Sequence, residues 1–133
     1  MEHLPIFIQI KQKPTLVVGG GDIALRKINL LLKAQAKVDC LSLLFCEDIK
    51  NLSKDGHITL INKSFEKTDI TNYSIIIAAT DDSSVNSLIS LVAQDKKIPV
   101  NVVDSPELSS FIMPSIVDRS PLIIAVSSAG KAP

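Results

Sequence analysis

The chain has 133 residues, of which 46% are hydrophobic and 21% charged, enough for one domain with a real core and too apolar for a disordered segment. Its 14 basic and 14 acidic residues balance, leaving no overall basic field to hold nucleic acid and no acidic tail. The apolar runs are strand-sized and broken by charges, and no basic segment precedes an apolar signal core, so the expected compartment is the cytoplasm, with no membrane span. In that setting Cys40 and Cys46 read as thiols rather than a disulfide, and His3 and His57 are too far apart to suggest a structural metal.

Strands and helices take turns along the chain. Pro5 to Ile10 is apolar enough for a first strand, Lys11 to Lys13 makes a polar turn, and Thr15 to Val18 is a second strand. Ile23, Ile28, Leu31, Leu32 and Ala36 share a helical face, with Arg26, Lys27 and Lys33 left outside it. Val38 to Ser42 predicts a strand, Phe45 to Leu52 a helix, Ile58 to Ile61 a short strand after Asp55-Gly56, and Ser74 to Ala79 a fully buried strand. Asp82 to Lys96 predicts a helix with Val85, Leu88, Ile89 and Val92 on one face and Asp81 or Asp82 as its cap; Ile98 to Val103 is a further strand. The alternation predicts an α/β fold, a Rossmann-like doubly wound parallel sheet with helices on both faces.

The end of the chain differs. Two apolar runs between Phe111 and Val126 flank Asp118-Arg119-Ser120, a pattern for a strand pair rather than another crossover. A lone hairpin is marginal in water, so the pair either packs on a second subunit or folds back on its own sheet.

Residues 16–27 carry the chemistry. An apolar strand runs into G-x-G-x-x-A on Gly19, Gly21 and Ala24 and opens a helix. Gly19 permits a sharp turn, Gly21 lets the backbone approach a phosphate, and Ala24 lets the helix lie near the strand. The N–H groups around Gly21, Asp22 and Ile23 then face an anion at the positive end of the helix dipole. The adenosine half of a dinucleotide would cross the end of the next strand, which makes Ser42, Leu43 and Leu44 candidate lining residues. A carboxylate for the ribose is expected about 20 residues past the glycines, yet Cys40, Leu41 and Ser42 supply none and Asp39 lies early. Thr80 and Asp81 end the buried strand, where a hydroxyl or carboxylate could bind ribose or cap the next helix.

Several stretches together resemble one family. His-Leu-Pro-Ile-Phe at 3–7, Val-Val-Gly-Gly-Gly-Asp at 17–22, Arg-Lys at 26–27, Ala-Ala-Thr-Asp-Asp at 78–82, Asn-Val-Val-Asp at 101–104 and Phe-Ile-Met-Pro-Ser-Ile-Val-Asp-Arg-Ser-Pro-Leu at 111–122 are similar to the N-terminal module of siroheme synthase. The resemblance implies precorrin-2 dehydrogenase activity with NAD as oxidant, giving sirohydrochlorin, and a ferrochelatase activity with ferrous iron as substrate rather than as a bound metal. It also implies a homodimer, with residues 1–112 as the NAD-binding domain and 113–133 as part of the dimerisation region. The family's helical tail and fused methyltransferase have no counterpart in these 133 residues.

Asp104 is the catalytic candidate. It follows a strand at the carboxyl edge of the predicted sheet, where it could accept a proton during oxidation and strip pyrrole N–H protons as iron enters. The bland reading is a loop aspartate capping Pro106 to Ser110. The macrocycle's carboxylates call for cations or N–H groups, and Arg119, Ser127 and Ser128 are candidates, with Lys131 the tail's other cation. Arg119 could instead pair with Asp118, and Ser128 is also a candidate modification site. Two rival readings are a non-catalytic nucleotide-sensing module and a dehydrogenase without chelatase activity.

Overall fold

The computed structural model describes residues 1–129. Seven strands and three helices run in the order β1 (Pro14–Val18), α1 (Asp22–Lys33), β2 (Lys37–Ser42), α2 (Glu47–Lys54), β3 (Thr59–Asn62), β4 (Ile75–Ala78), α3 (Ser83–Asp95), β5 (Val100–Val102), β6 (Ser115–Arg119) and β7 (Leu122–Val126), with single 3-10 turns at Lys67–Asp69 and Pro106–Leu108. The first five strands form one parallel sheet in the order β3-β2-β1-β4-β5. Both β2 and β4 lie beside β1, so the chain reverses its direction of winding there.

Alternation along the strands builds two cores. Val17, Val38, Cys40, Ile75 and Ile77 face one side with Ala24, Ile28 and Leu31 of α1 and Ile49 of α2. Leu16, Val18, Leu41, Ile76 and Ala78 face the other with Ile89 and Ala93 of α3. Each central strand is therefore apolar on both faces, which is why β4 reads as an unbroken apolar run. The doubly wound sheet expected from the sequence is present.

Pro5 to Ile10 is not a strand. The segment precedes β1 and pairs with no sheet edge; Leu4, Ile6 and Phe7 are exposed, and only Ile10 enters the core, beside Ala36 and Val38. Apolar character permits a strand, but a ladder also needs a free neighbouring edge, and β1, into which the segment leads, already has β2 and β4 on its two sides. At the other end β6 and β7 form an isolated antiparallel pair in register from Ser115↔Val126 to Arg119↔Leu122. Every residue of both strands is exposed, so the pair does not fold back on the main sheet.

Candidate functional site

A cleft of 810 Å³ opens at the carboxyl ends of the parallel strands. It is lined by the glycine turn after β1, Ser42 to Cys46 after β2, Lys63 to Phe65 after β3, Ala79 to Asp82 after β4, and Val103 and Asp104 after β5. Five strand ends thus converge on one space, and Gly19, Gly21, Asp22, Ile23, Ser42, Leu43, Leu44, Thr80, Asp81 and Asp104 all face it.

The glycine turn sits at the point where the winding reverses. Gly19 has φ +134, and an added Cβ would collide with the Ala79 carbonyl after β4. The Ala79 N–H donates to the Val18 carbonyl at 2.8 Å, and the Gly19 N–H donates to the Leu41 carbonyl at 2.9 Å, tying the turn to both neighbouring strands. Gly21 differs: a Cβ there meets nothing within 4 Å, so its open side is space on the cleft rather than packed protein. It is the N-cap of α1, yet no side chain caps that helix, so the first-turn N–H groups are left for another acceptor. These features fit a pyrophosphate.

The second wall is built from β2 and β3. The Asn62 amide donates to the carbonyls of Ser42 (3.1 Å) and Leu43 (2.8 Å), tying the two strand ends together. Asp39 does not reach the cleft: its carboxylate accepts the Tyr73 hydroxyl at 2.7 Å. Burial, aided by that carboxylate, pushes the Tyr73 phenol pKa well up and keeps it a donor.

Beyond β4, Thr80 donates its hydroxyl to the Asn86 side-chain oxygen at 2.6 Å and accepts the Asp82 N–H at 3.2 Å. The cap of α3 is Asp82, whose carboxylate accepts the N–H groups of Ser84 (2.9 Å) and Val85 (3.2 Å). The Ser84 hydroxyl, then these amides, hold its pKa below the usual 3.8. With Asp82 capping, Asp81 is released to the cleft.

Asp104 follows β5 and lies on the cleft wall at φ 61, a left-handed conformation that aspartate tolerates better than most residues. It is not a cap. The 3-10 turn at Pro106–Leu108 begins at Ser105, with no side-chain cap bond.

Arg119, Ser127 and Ser128 are not among the cleft residues. Arg119 donates to the Asp118 backbone carbonyl at 3.2 Å, while the Asp118 carboxylate accepts the Ser120 N–H and hydroxyl, so the expected Arg119–Asp118 pairing runs through the backbone. Ser127 and Ser128 are exposed just past β7. Gly130 and Lys131 lie outside the described residues.

Sequence reasoning passed over Gly20 and the Lys63-Ser64-Phe65 segment. Gly20 stands between the two spacing glycines, and three glycines in a row already signal more than the G-x-G pattern needs. The rule that ligands sit at the carboxyl ends of strands, applied to β3 as it was to β5, points to Lys63 to Phe65.

Residues 6–115 match the sequence model of a family described as "Putative NAD(P)-binding". The chain belongs to this NAD(P)-binding family. It is also 58% identical over 133 residues to the siroheme synthase of Ruthia magnifica subsp. Calyptogena magnifica, covering all of this chain and 28% of that protein. The siroheme synthase of Nitrosomonas europaea is 49% identical over 134 residues, again across the whole chain and 28% of the relative. The chain therefore spans less than a third of the length of these curated relatives, and the resemblance to their N-terminal module is borne out. A solved structure titled "SirC, precorrin-2 dehydrogenase" superposes with a TM-score of 0.84 at 26% identity, covering 98% of this chain and 64% of that one. Among the described residues no helix is long and apolar enough to cross a membrane.

Proposed function

We propose that this chain is an NAD-dependent precorrin-2 dehydrogenase module that forms sirohydrochlorin on the way to siroheme. The observation that carries the reading is the meeting of the glycine turn and Asp104 in one cleft at the carboxyl ends of the sheet. Relatives named siroheme synthase and a like fold named precorrin-2 dehydrogenase support it.

In this reading the first turn of α1, at Gly21, Asp22 and Ile23, receives the pyrophosphate through backbone N–H groups. Ser42, Leu43 and Leu44 flank the adenosine, and Thr80 and Asp81 approach the ribose nearer the reacting end. When bound, NAD supplies the hydride acceptor. Asp104 accepts at its carboxylate the proton that leaves the macrocycle, since oxidation removes one hydride and one proton. The Ser105 N–H donates to the Val102 carbonyl at 3.0 Å, which fixes the backbone turn that carries Asp104 at the strand end.

The same carboxylate serves as proton acceptor when ferrous iron, a substrate, displaces pyrrole protons in a chelatase step. The cleft is lined by four carboxylates (Asp22, Asp81, Asp82 and Asp104) and, among the described residues, one cation, Lys63. The acidic groups of the substrate therefore find partners outside this wall, and Arg119, Ser127 and Ser128 supply them from a second copy of the chain. The exposed apolar side chains of the hairpin, Ile116, Leu122, Ile123 and Ile124 among them, support a homodimer through residues 113–133. Precorrin-2-dependent reduction of NAD without oxygen tests the reading; a nucleotide-sensing module would bind NAD and reduce none.

A further inference from the structure

The cleft lacks the carboxylate that ordinarily grips the adenosine ribose about 20 residues past the glycines. Its only cation among the described residues, Lys63, directly follows β3. The Asn62 bonds to Ser42 and Leu43 fix this position beside the segment that follows β2, on the opposite side of the glycine turn from β4, β5 and Asp104. In a sheet of this winding that is the adenosine side.

A basic residue there is what a 2′-phosphate would seek. Lys63 is already engaged. Its Nζ lies 2.5 Å from Asp69 Oδ2 and 3.5 Å from Glu66 Oε1. The Glu66 N–H donates to the same Asp69 oxygen at 2.7 Å, so the Lys67–Asp69 turn holds the acid in place. The Asp69 bond comes first among the influences raising the Lys63 pKa, which keeps the lysine charged. Two carboxylates thus converge on the one ammonium that, among the described residues, lines the cleft.

We infer that Glu66 and Asp69 select NAD over NADP by holding Lys63 pre-paired, so that the one cation among the described residues that a 2′-phosphate would seek on this side of the cleft is already taken. The inference rests on the dinucleotide reading of the cleft. It replaces the missing β2 carboxylate with a lysine withheld in the loop after β3.

The test compares NAD and NADP dissociation constants by calorimetry for the wild-type chain, for Glu66→Gln with Asp69→Asn, and for that double variant with Lys63→Met added. Freeing the lysine tightens NADP relative to NAD by roughly fivefold, the size expected of partly exposed charges, and removing Lys63 abolishes the gain. Glu66→Gln alone, at an exposed side chain, moves the ratio the same way by less and guards against disturbance of the turn. NAD binding with an unchanged ratio, or a gain that survives loss of Lys63, overturns this inference alone. Failure of the wild-type chain to bind either dinucleotide overturns the cofactor reading and this inference with it.

Discussion

Gly20 and Leu44 are packed backbone against backbone: a Cβ on Gly20 would overlap the Leu44 carbonyl and crowd the Ser42 hydroxyl. The Gly20 carbonyl also accepts the Cys46 N–H at 2.7 Å, so the glycine turn and the connection from β2 to α2 interlock. Gly20→Ala forces Leu43 and Leu44 away from their places on the cleft. The expected cost is about 1–3 kcal/mol of stability, together with loss of NAD binding, measured by denaturant unfolding and calorimetry.

Gly21→Ala has the opposite profile. Its φ of −98 suits any residue and its open side meets no protein atom within 4 Å, so unfolding midpoints stay near wild type. The added methyl fills the space given to the pyrophosphate, and NAD affinity falls by roughly tenfold or more. Equal loss of stability in both variants would mean that Gly21 serves packing.

The fate of these glycines shows what the sequence could and could not carry. The turn, the unbroken apolar β4 and a cap at Asp81 or Asp82 follow from local rules of spacing, burial and hydrogen bonding, so they were legible; the structure settles the cap on Asp82. The place of Asp104 on the cleft was legible because the resemblance and the strand-end rule point to the same residue. The demand on Gly20 was not, since it comes from Leu44, a residue distant in the chain and brought near only by the parallel pairing of β1 and β2. Lys63 was hidden for the same reason: β3 joins the sheet at its far edge, and nothing local shows that its end reaches the glycine turn's cleft. Pro5 to Ile10 failed in the reverse direction, with the local pattern of a strand but no free edge beside β1, the strand it leads into.

Asp82 makes stability fall in acid. Its carboxyl titrates below 3.8 in the folded chain because the Ser84 hydroxyl and the two amides bind its charged form. That contribution is fully present above 3.8 and is lost as the pH drops through the lower folded value. Asp82→Ala is expected to lower Tm by a few degrees at neutral pH and to flatten the acid limb of a Tm-against-pH curve.

The two cysteines should react differently. Cys40 is buried and donates to the Gly19 carbonyl at 3.1 Å; burial, and then Cys46, push its pKa up to about 12. It stays unmodified by iodoacetamide in the folded chain, and the preference for its neutral form is lost as a stabilising term when the pH rises above 9.0 toward that value. Cys46 is half-buried on the cleft wall and is alkylated first, with NAD slowing the reaction, as followed by peptide mass spectrometry.

Anaerobic turnover of precorrin-2 with NAD, followed by sirohydrochlorin absorbance in the wild-type chain and in Asp104→Asn with NAD affinity measured beside it, tests the account most directly. The expected result is turnover in the wild type and a loss of roughly a hundredfold or more in the variant, with cofactor affinity unchanged. Turnover that survives in Asp104→Asn, or NAD binding without turnover in the wild type, would contradict the assignment of this cleft to precorrin-2 oxidation through Asp104.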